Sequence, residues 1–394
     1  MIQKPAIPDS AAAITAEWMQ MALRAGGASS VPVIRSVSVE VIGVGKGLVG
    51  TLARCRLTYD EGEHGGPTSV VVKLPGTDPK SRRMSKRLML NRREFAFYSR
   101  IAPHAPIRTP ALLYGDFDER SQRFVFVLED LGAMTTVDQI EGLNAAQAMT
   151  AIRSLARLHG HFWNRPDQPP LVGCHDTLDP RLMPLAQLAY LAFLPPALDN
   201  FDHLFTARRR RLAEALATRM LDYIADVATG PRTFAHGDFR ADNMFFGSGD
   251  QDDFAVVDWQ VSGLSTGPAD LAFFLGGSVS TELRRKIERD AVEEYHAIIC
   301  GMGVQDFTFD NCWSLYRQSM LGHLIVSVFV CGGLNQDDQR GRLLVETITR
   351  RILTAIEDLD ADEFLPSRPP TFSRANLVST LVGGAFKAYR TITR

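Results

Sequence analysis

The sequence predicts an α+β protein with two lobes, an N-terminal antiparallel sheet plus a helix, then a mainly helical C-terminal lobe. Three observations predict it. Strand-like segments of alternating or apolar residues crowd the stretch 37–129 around one helical region. Past Asp130 the pattern changes to long helical segments. At 394 residues the chain is long enough to build two cores. The expected boundary places an N-lobe at residues 1–130 and a C-lobe at 131–394.

Asp9-Ser10 before Ala11–Arg24 reads as a capped helix with Ile14, Trp18 and Met21 on one face. Val37, Val39 and Val41 alternate with polar neighbours as a strand. The glycine cluster Gly43–Gly50 interrupts it, and Thr51–Tyr59 resumes as a second strand. Asp60–Pro67 has turn composition, and Ser69–Leu74 is a third strand, apolar until Lys73. Residues 80–101 read as helical and carry Glu94, and Pro106–Pro110 breaks that run. Ala111–Asp116 and Arg123–Glu129 are two further strands, followed by a hinge candidate, Glu129–Gly132. Helices are expected at Asn144–Trp163, Pro180–Leu194, Asp202–Ala228 and after Ser280. Between them a strand pair, Asn243–Phe246 and Phe254–Asp258, is joined by a turn. A last segment is expected at Ala375–Tyr389, and no internal repeat is visible.

The chemistry concentrates in His236-Gly237-Asp238-Phe239-Arg240-Ala241-Asp242-Asn243 and in Val256-Val257-Asp258-Trp259-Gln260. Asp238 can accept the proton of an attacking hydroxyl. Asn243 and Asp258 offer the hard oxygens that Mg²⁺ prefers. The spacing of Asp238 and Asn243 is that of the protein-kinase loop H-R-D-x-x-x-x-N, with Gly237 in place of Arg. Lys73 ends an apolar strand, where an unpaired ammonium is costly. With Glu94 on the next helix, it reads as the cation for the α- and β-phosphates of ATP or GTP. Gly45, Gly47 and Gly50 satisfy G-x-G-x-x-G. A Rossmann fingerprint would need a helix next, and a Walker A loop would need Ser or Thr after the lysine. Leu52–Thr58 alternates and Lys46 precedes Gly47, so a hairpin over phosphates survives beside an ordinary glycine-rich hairpin. His236 is read as a brace of its loop, and Asp270 as a helix cap or a partner of that loop. Asp242 has no assigned role, and His159 and His161 read as packing residues.

H-G-D-x-x-x-x-N followed by Val257-Asp258-Trp259 resembles the aminoglycoside phosphotransferase and choline kinase group of small-molecule kinases. Val127–Leu131 and Leu155–Trp163 resemble the hinge and following helix of its ecdysteroid-kinase-like branch. Gln260 points the same way, because aminoglycoside phosphotransferases carry Glu at that position. The resemblance implies a protein-kinase-like fold, nucleotide contacts from the hinge residues Glu129 and Leu131, and transfer of the γ-phosphoryl group to a small hydroxylated substrate.

Composition narrows the partners. A net charge of −2 gives no support for nucleic-acid binding, and the longest apolar stretch, Leu321–Leu334, is too short to span a bilayer. Five scattered cysteines without a C-x-x-C pair read as reduced thiols of a cytoplasmic protein. Oligomeric state is not set by the sequence. The apolar segment Cys312–Leu334 is either core or the lining for a hydrophobic or acyl-thioester acceptor, and Arg208–Arg211 is either a solvated face or a handle for an anionic group. An aminoglycoside or macrolide phosphotransferase and a nucleotide-binding pseudokinase are the alternatives. A protein substrate is disfavoured by the lack of Asp-Phe-Gly and Ala-Pro-Glu signatures.

Overall fold

The computed structural model describes residues 4–27, 31–43, 50–60, 65–248, 253–333 and 339–367. In chain order the first elements are α1 (Ala16–Ala25), β1 (Ile34–Ile42), β2 (Gly50–Tyr59), β3 (Ser69–Pro75) and α2 (Pro79–Arg87). Next come α3 (Leu90–Ala96), β4 (Leu112–Phe117), β5 (Phe124–Glu129) and β6 (Thr135–Thr136). Then follow α4 (Ala145–His161), α5 (Met183–Asn200), α6 (Ala207–Val227), β7 (Thr233–Ala235), β8 (Met244–Phe246) and β9 (Phe254–Val256). The rest is β10 (Gly263–Ser265), α7 (Gly267–Ser278), α8 (Thr281–Gly301), α9 (Phe309–Gly333) and α10 (Gln339–Asp358). The chain forms two compact units, Met1–Thr135 with Phe245–Ser262, and Thr136–Met244 with Gly263–Arg394.

The first unit is built on an antiparallel sheet of order β1-β2-β3-β5-β4. Side chains alternate across it with period two. Val70, Val72 and Leu74 of β3, Ala53, Cys55 and Leu57 of β2, and Val125 and Val127 of β5 form one core with Trp18, Met19, Ala22 and Leu23 of α1. Each Val or Leu fully buried there stabilises the unit by about 1.5–3 kcal/mol. The same alternation sends Lys73 to the opposite face, opposite Phe126 of β5. That face is aromatic: Phe95 stacks on Phe126, and Phe97 stacks on Trp259 at 3.8 Å between ring centroids. α3 runs on into a π-helical turn, Phe97–Ile101, which buries Phe97, Tyr98 and Ile101.

The second unit is helical. α4 packs on α8, while α5, α7 and α10 pack on α9. Asn144 and Gln147 form a reciprocal capping box that starts α4, and the Ser280 hydroxyl oxygen caps α8 by accepting from Leu283 N. No helix among the described residues is long and apolar enough to cross a membrane.

Several expectations need correction. α1 starts at Ala16 and is capped by Thr15, whose hydroxyl oxygen accepts from Trp18 N; Ala11–Ala13 is a separate 3-10 turn and Met21 is exposed. α5 continues through Pro195 and Pro196 to Asn200. Two prolines forgo helical hydrogen bonds, and burial of Leu194, Ala197 and Leu198 on one side offsets the loss. The pairing of β7 with β10 was not foreseen, because three-residue strands carry no periodic signal. The segment Ala375–Tyr389 lies outside the described residues.

His323 of α9 donates Nε2–H to Ala269 O at 2.9 Å, while its buried Nδ1 has no partner among the described residues. Burial pushes this imidazole down to about 4, against weaker upward pulls from Ala269 O and Asp270. A histidine depressed in the folded state folds best when neutral. Its contribution is therefore complete above its unfolded value, about 6.5, and declines as pH falls toward 4. The expected loss across that window is about 3 kcal/mol. Denaturation midpoints measured from pH 7.5 to 5 should fall more steeply for the native chain than for His323→Gln.

Candidate active site

Lys73 is the centre of the first unit's polar chemistry. Its ammonium donates to both oxygens of Glu94, at 2.8 and 2.7 Å, and to Asp258 Oδ1 at 3.1 Å. Burial works against this charge, but the carboxylates of Asp258 and Glu94 outweigh it and hold the ammonium above its ordinary value. Glu94 is buried beside a second carboxylate. Burial pushes its acid up to about 7, Lys73 pulls it down, and Asp258 adds to the rise.

Asp258 stands two residues past the end of β9 and adopts a left-handed conformation, φ 65° and ψ 65°. A non-glycine residue there is uncommon, and such strain persists only where the surroundings impose it. Two neighbours do so. Trp259 donates its indole N–H to Val256 O and stacks on Phe97. Arg93, adjacent to Glu94 on α3, donates to Ser262 O at 3.0 and 2.8 Å and also to Val261 O. Burial lowers the Arg93 guanidinium to about 10. The same short helix thus holds the lysine's partner and the segment that follows Asp258. Sequence reading passed over Arg93, which looked like one more cation in a basic run.

Gly50 opens β2, where an added Cβ would lie 3.1 Å from Leu74 O and 3.4 Å from Lys73 Cε. A side chain would crowd the lysine. Gly45 and Gly47 lie outside the described residues. Glu129 pairs with Val70, three residues before Lys73 on the neighbouring strand, or about 10 Å along it. Its carboxylate accepts from Arg108 and from Ala111 N. Leu131 is buried, and its carbonyl accepts from Met134 N. Asp130 ties this stretch to the sheet, accepting from Arg54 of β2, Ser69 of β3 and Gly132 N. Burial tends to raise its acid, but the Ser69 and Arg54 bonds win and lower it.

Asp238 and Asn243 belong to the second unit, in the loop between β7 and β8. The Asn243 amide donates to Asp238 O at 2.9 Å and Oδ2 at 3.1 Å, which leaves its Oδ1 as the oxygen suited to a hard cation. Arg240 bridges two acids, through Nε to Asp238 Oδ2 at 3.1 Å and Nη1 to Asp242 Oδ2 at 3.0 Å. Asp242 also accepts from Gln139 N, so it braces the loop.

Behind the loop, Asp270 of α7 accepts from His236 N at 2.6 Å and from Gly237 N at 2.9 Å. Gly237 takes φ 81°, a conformation that arginine in its place would find strained. The buried His236 ring accepts from Asp238 N through Nδ1. His159 lies 3.4 Å from Asp270 and 2.8 Å from the Tyr295 hydroxyl. Burial alone would raise the Asp270 acid, but His159, His236 and the Gly237 bond hold it below its usual range. His159 is therefore a packed, hydrogen-bonded residue.

Among the described residues no three His, Cys, Asp or Glu side chains cluster to hold a metal by themselves. Taken singly, the Asn243 amide oxygen of the second unit and the Asp258 carboxylate of the first are hard-oxygen donors of the kind Mg²⁺ takes.

Both segments left open between packing and substrate contact have packing partners. Arg208 pairs with Asp362, Arg209 with Glu357 and Arg210 with Asp202, so these three clamp α6 to its own unit. Cys312, Tyr316, Met320, Leu324 and Cys331 are fully buried in the core, while Trp313 and Phe329 on the same helix are part-exposed.

The ecdysteroid kinase-like family model matches residues 45–300 of this chain. No curated protein matches it. A provisionally assigned aminoglycoside phosphotransferase from Ralstonia eutropha JMP134 has a similar structure. It shows 14% identity and a TM-score of 0.52 over 87% of this chain and 98% of the other. An ethanolamine kinase from Plasmodium vivax aligns with 13% identity and a TM-score of 0.47, covering 79% of this chain and 81% of its own. A choline kinase from Cryptosporidium parvum Iowa II aligns with 14% identity and a TM-score of 0.45, covering 84% and 92%. The fold is protein-kinase-like, as the sequence predicts, with an antiparallel sheet and helix in the N-lobe and a mainly helical C-lobe. With the matched region spanning more than half of the sequence, this chain belongs to the ecdysteroid kinase-like family.

Proposed function

We propose that this protein transfers the γ-phosphoryl group of ATP, or of GTP, to a hydroxyl of a small molecule. The observation that carries the reading is the Lys73 ammonium, bound at once to Glu94 and Asp258 on the aromatic face of the sheet. In this reading residues 1–130 form the nucleotide-binding lobe, with Gly45, Gly47 and Gly50 over the phosphates and Glu129 and Leu131 at the base. Residues 131–394 supply the catalytic loop. Lys73, oriented by Glu94, neutralises phosphate charge. Asp238 accepts the hydroxyl proton and aligns the oxygen, while Arg240 and Asn243 hold the carboxylate in place. Asn243 and Asp258 are the residues that would hold Mg²⁺, which when bound neutralises charge on the transferring group.

The acceptor is proposed no more finely than a small hydroxylated molecule. A hydrophobic or acyl-thioester acceptor draws no support from the buried residues of α9 or from Arg208–Arg210, which are paired. The test is calorimetric titration of ATP and GTP with and without Mg²⁺, then nucleotide consumption over a panel of hydroxylated metabolites. Binding should tighten with Mg²⁺, and Asp258→Ala should remove that tightening. Absence of nucleotide binding would sink the proposal. Binding without consumption on any acceptor would favour a non-catalytic nucleotide-binding protein.

A further inference from the structure

We propose that α2 docks this protein onto a membrane surface rich in anionic lipid. The inference is independent of the phosphoryl-transfer reading. α2 has the sequence Pro79-Lys80-Ser81-Arg82-Arg83-Met84-Ser85-Lys86-Arg87, with Asp78 outside it as the cap. Arg82, Arg83, Lys86 and Arg87 are exposed, and none has an acidic partner among the described residues. Elsewhere exposed arginines are commonly paired, as Arg92 is with Glu119 and Arg285 with Asp358. Beside these cations stand Met84, Leu88 and Met89, which are 45%, 49% and 38% exposed. Ser85 and Leu90 are buried and anchor the inner side. At 100° per residue, Arg82, Lys86, Arg83 and Arg87 sweep one side, and Met84 and Leu88, one turn apart, adjoin Arg87.

The pairing of charge with apolar surface selects the occupant. A free phosphate or phosphorylated metabolite would use the cations and leave Met84 and Leu88 in water, and one exposed helix face has no concavity to enclose it. A single-stranded nucleic acid would call for stacking partners, and the stretch from Pro79 to Glu94 contains no aromatic residue, while a duplex backbone would meet the cations and leave Met84 and Leu88 in water. A bilayer surface satisfies both halves, with lipid phosphates or carboxylates at the cations and the acyl boundary at the methionine and leucine side chains. The chain's net charge of −2 does not oppose this, because attraction acts within about a Debye length of the patch.

The experiment is co-sedimentation of the full chain with vesicles of phosphatidylcholine alone or with added phosphatidylserine. The native chain should partition onto the anionic vesicles, not the neutral ones, and release at high salt. Each cation near the surface contributes about a fivefold factor, so changing Arg82, Arg83, Lys86 and Arg87 to Gln should abolish binding. M84S/L88S should weaken it about tenfold and leave the salt dependence in place. Denaturation midpoints should match the native chain for both variants, since the changed side chains face solvent. No binding to anionic vesicles at low salt, equal binding to neutral ones, or an M84S/L88S variant that binds like the native chain would overturn the proposal. The last result would show that the apolar half takes no part and that the cations meet any anionic surface alike.

Discussion

Asp238→Asn is expected to lower turnover by about a thousandfold while leaving nucleotide affinity within about twofold, within the range of general-base losses. Asparagine keeps the shape and an acceptor oxygen. Arg240 Nε and Asn243 Nδ2, which both donate to Asp238 Oδ2, retain a partner, and the loop holds its course. Only the oxygen proposed to take the hydroxyl proton is changed. Lys73, Glu94 and Asp258, the residues proposed to meet the nucleotide and its cation, belong to the other unit. Initial rates on any accepted substrate, together with ATP titrations, separate the two quantities. A variant that keeps a tenth of native turnover would show that Asp238 is not the proton acceptor. Asp238→Ala is the poorer experiment, since it also leaves the Arg240 and Asn243 donors short of a partner.

The second large effect is on stability. Arg284 of α8 is 1% exposed and holds Glu288 at 2.7 Å, together with Asp358. Glu288 is itself buried and accepts a further bond, at 2.6 Å, from the Tyr316 hydroxyl. That phenol is pushed well above its ordinary value, first by burial and then by the carboxylate. Arg284→Met removes the cation and leaves Glu288 charged and uncompensated, so the expected loss is about 3–5 kcal/mol. Replacing both partners is expected to cost far less. R284M/E288L exchanges a desolvated ion pair for apolar contact, which is often neutral in stability. Urea denaturation midpoints of the single and double variants test this. A single variant within about 1 kcal/mol of the native chain would mean that Glu288 takes up a proton or finds another donor.

Much of the N-lobe was legible because each strand carries its own signal. Val70-Val71-Val72 ending in Lys73 already states the problem of a cation on an apolar strand, and Glu94 in the helical stretch that follows, on α3, is its answer. Asp238 and Asn243 were legible from spacing, since five residues within one loop return the amide to the carboxylate. Other features depend on contacts between distant segments, and no local pattern encodes them. The left-handed Asp258 is imposed by Arg93 and Trp259, and neither announces this in a window of residues. Asp270 could be read as a helix cap or as a partner of the catalytic loop, and only the fold chooses the second. The α9 stripe was ambiguous for a plainer reason. Composition does not say whether an apolar face meets protein or ligand, and here it meets α5, α7 and α10.

The adjacency of Arg93 and Glu94 has a consequence for how the surroundings of Lys73 can vary. Both side chains leave the same turn of α3, one toward the Asp258 segment and the other toward Lys73. A shift of that turn therefore carries the ammonium's anchor and the segment that follows Asp258 together, as one lever with two arms. Drift cannot slacken one arm and spare the other, and a compound wedged beneath α3 would disarm both at a stroke.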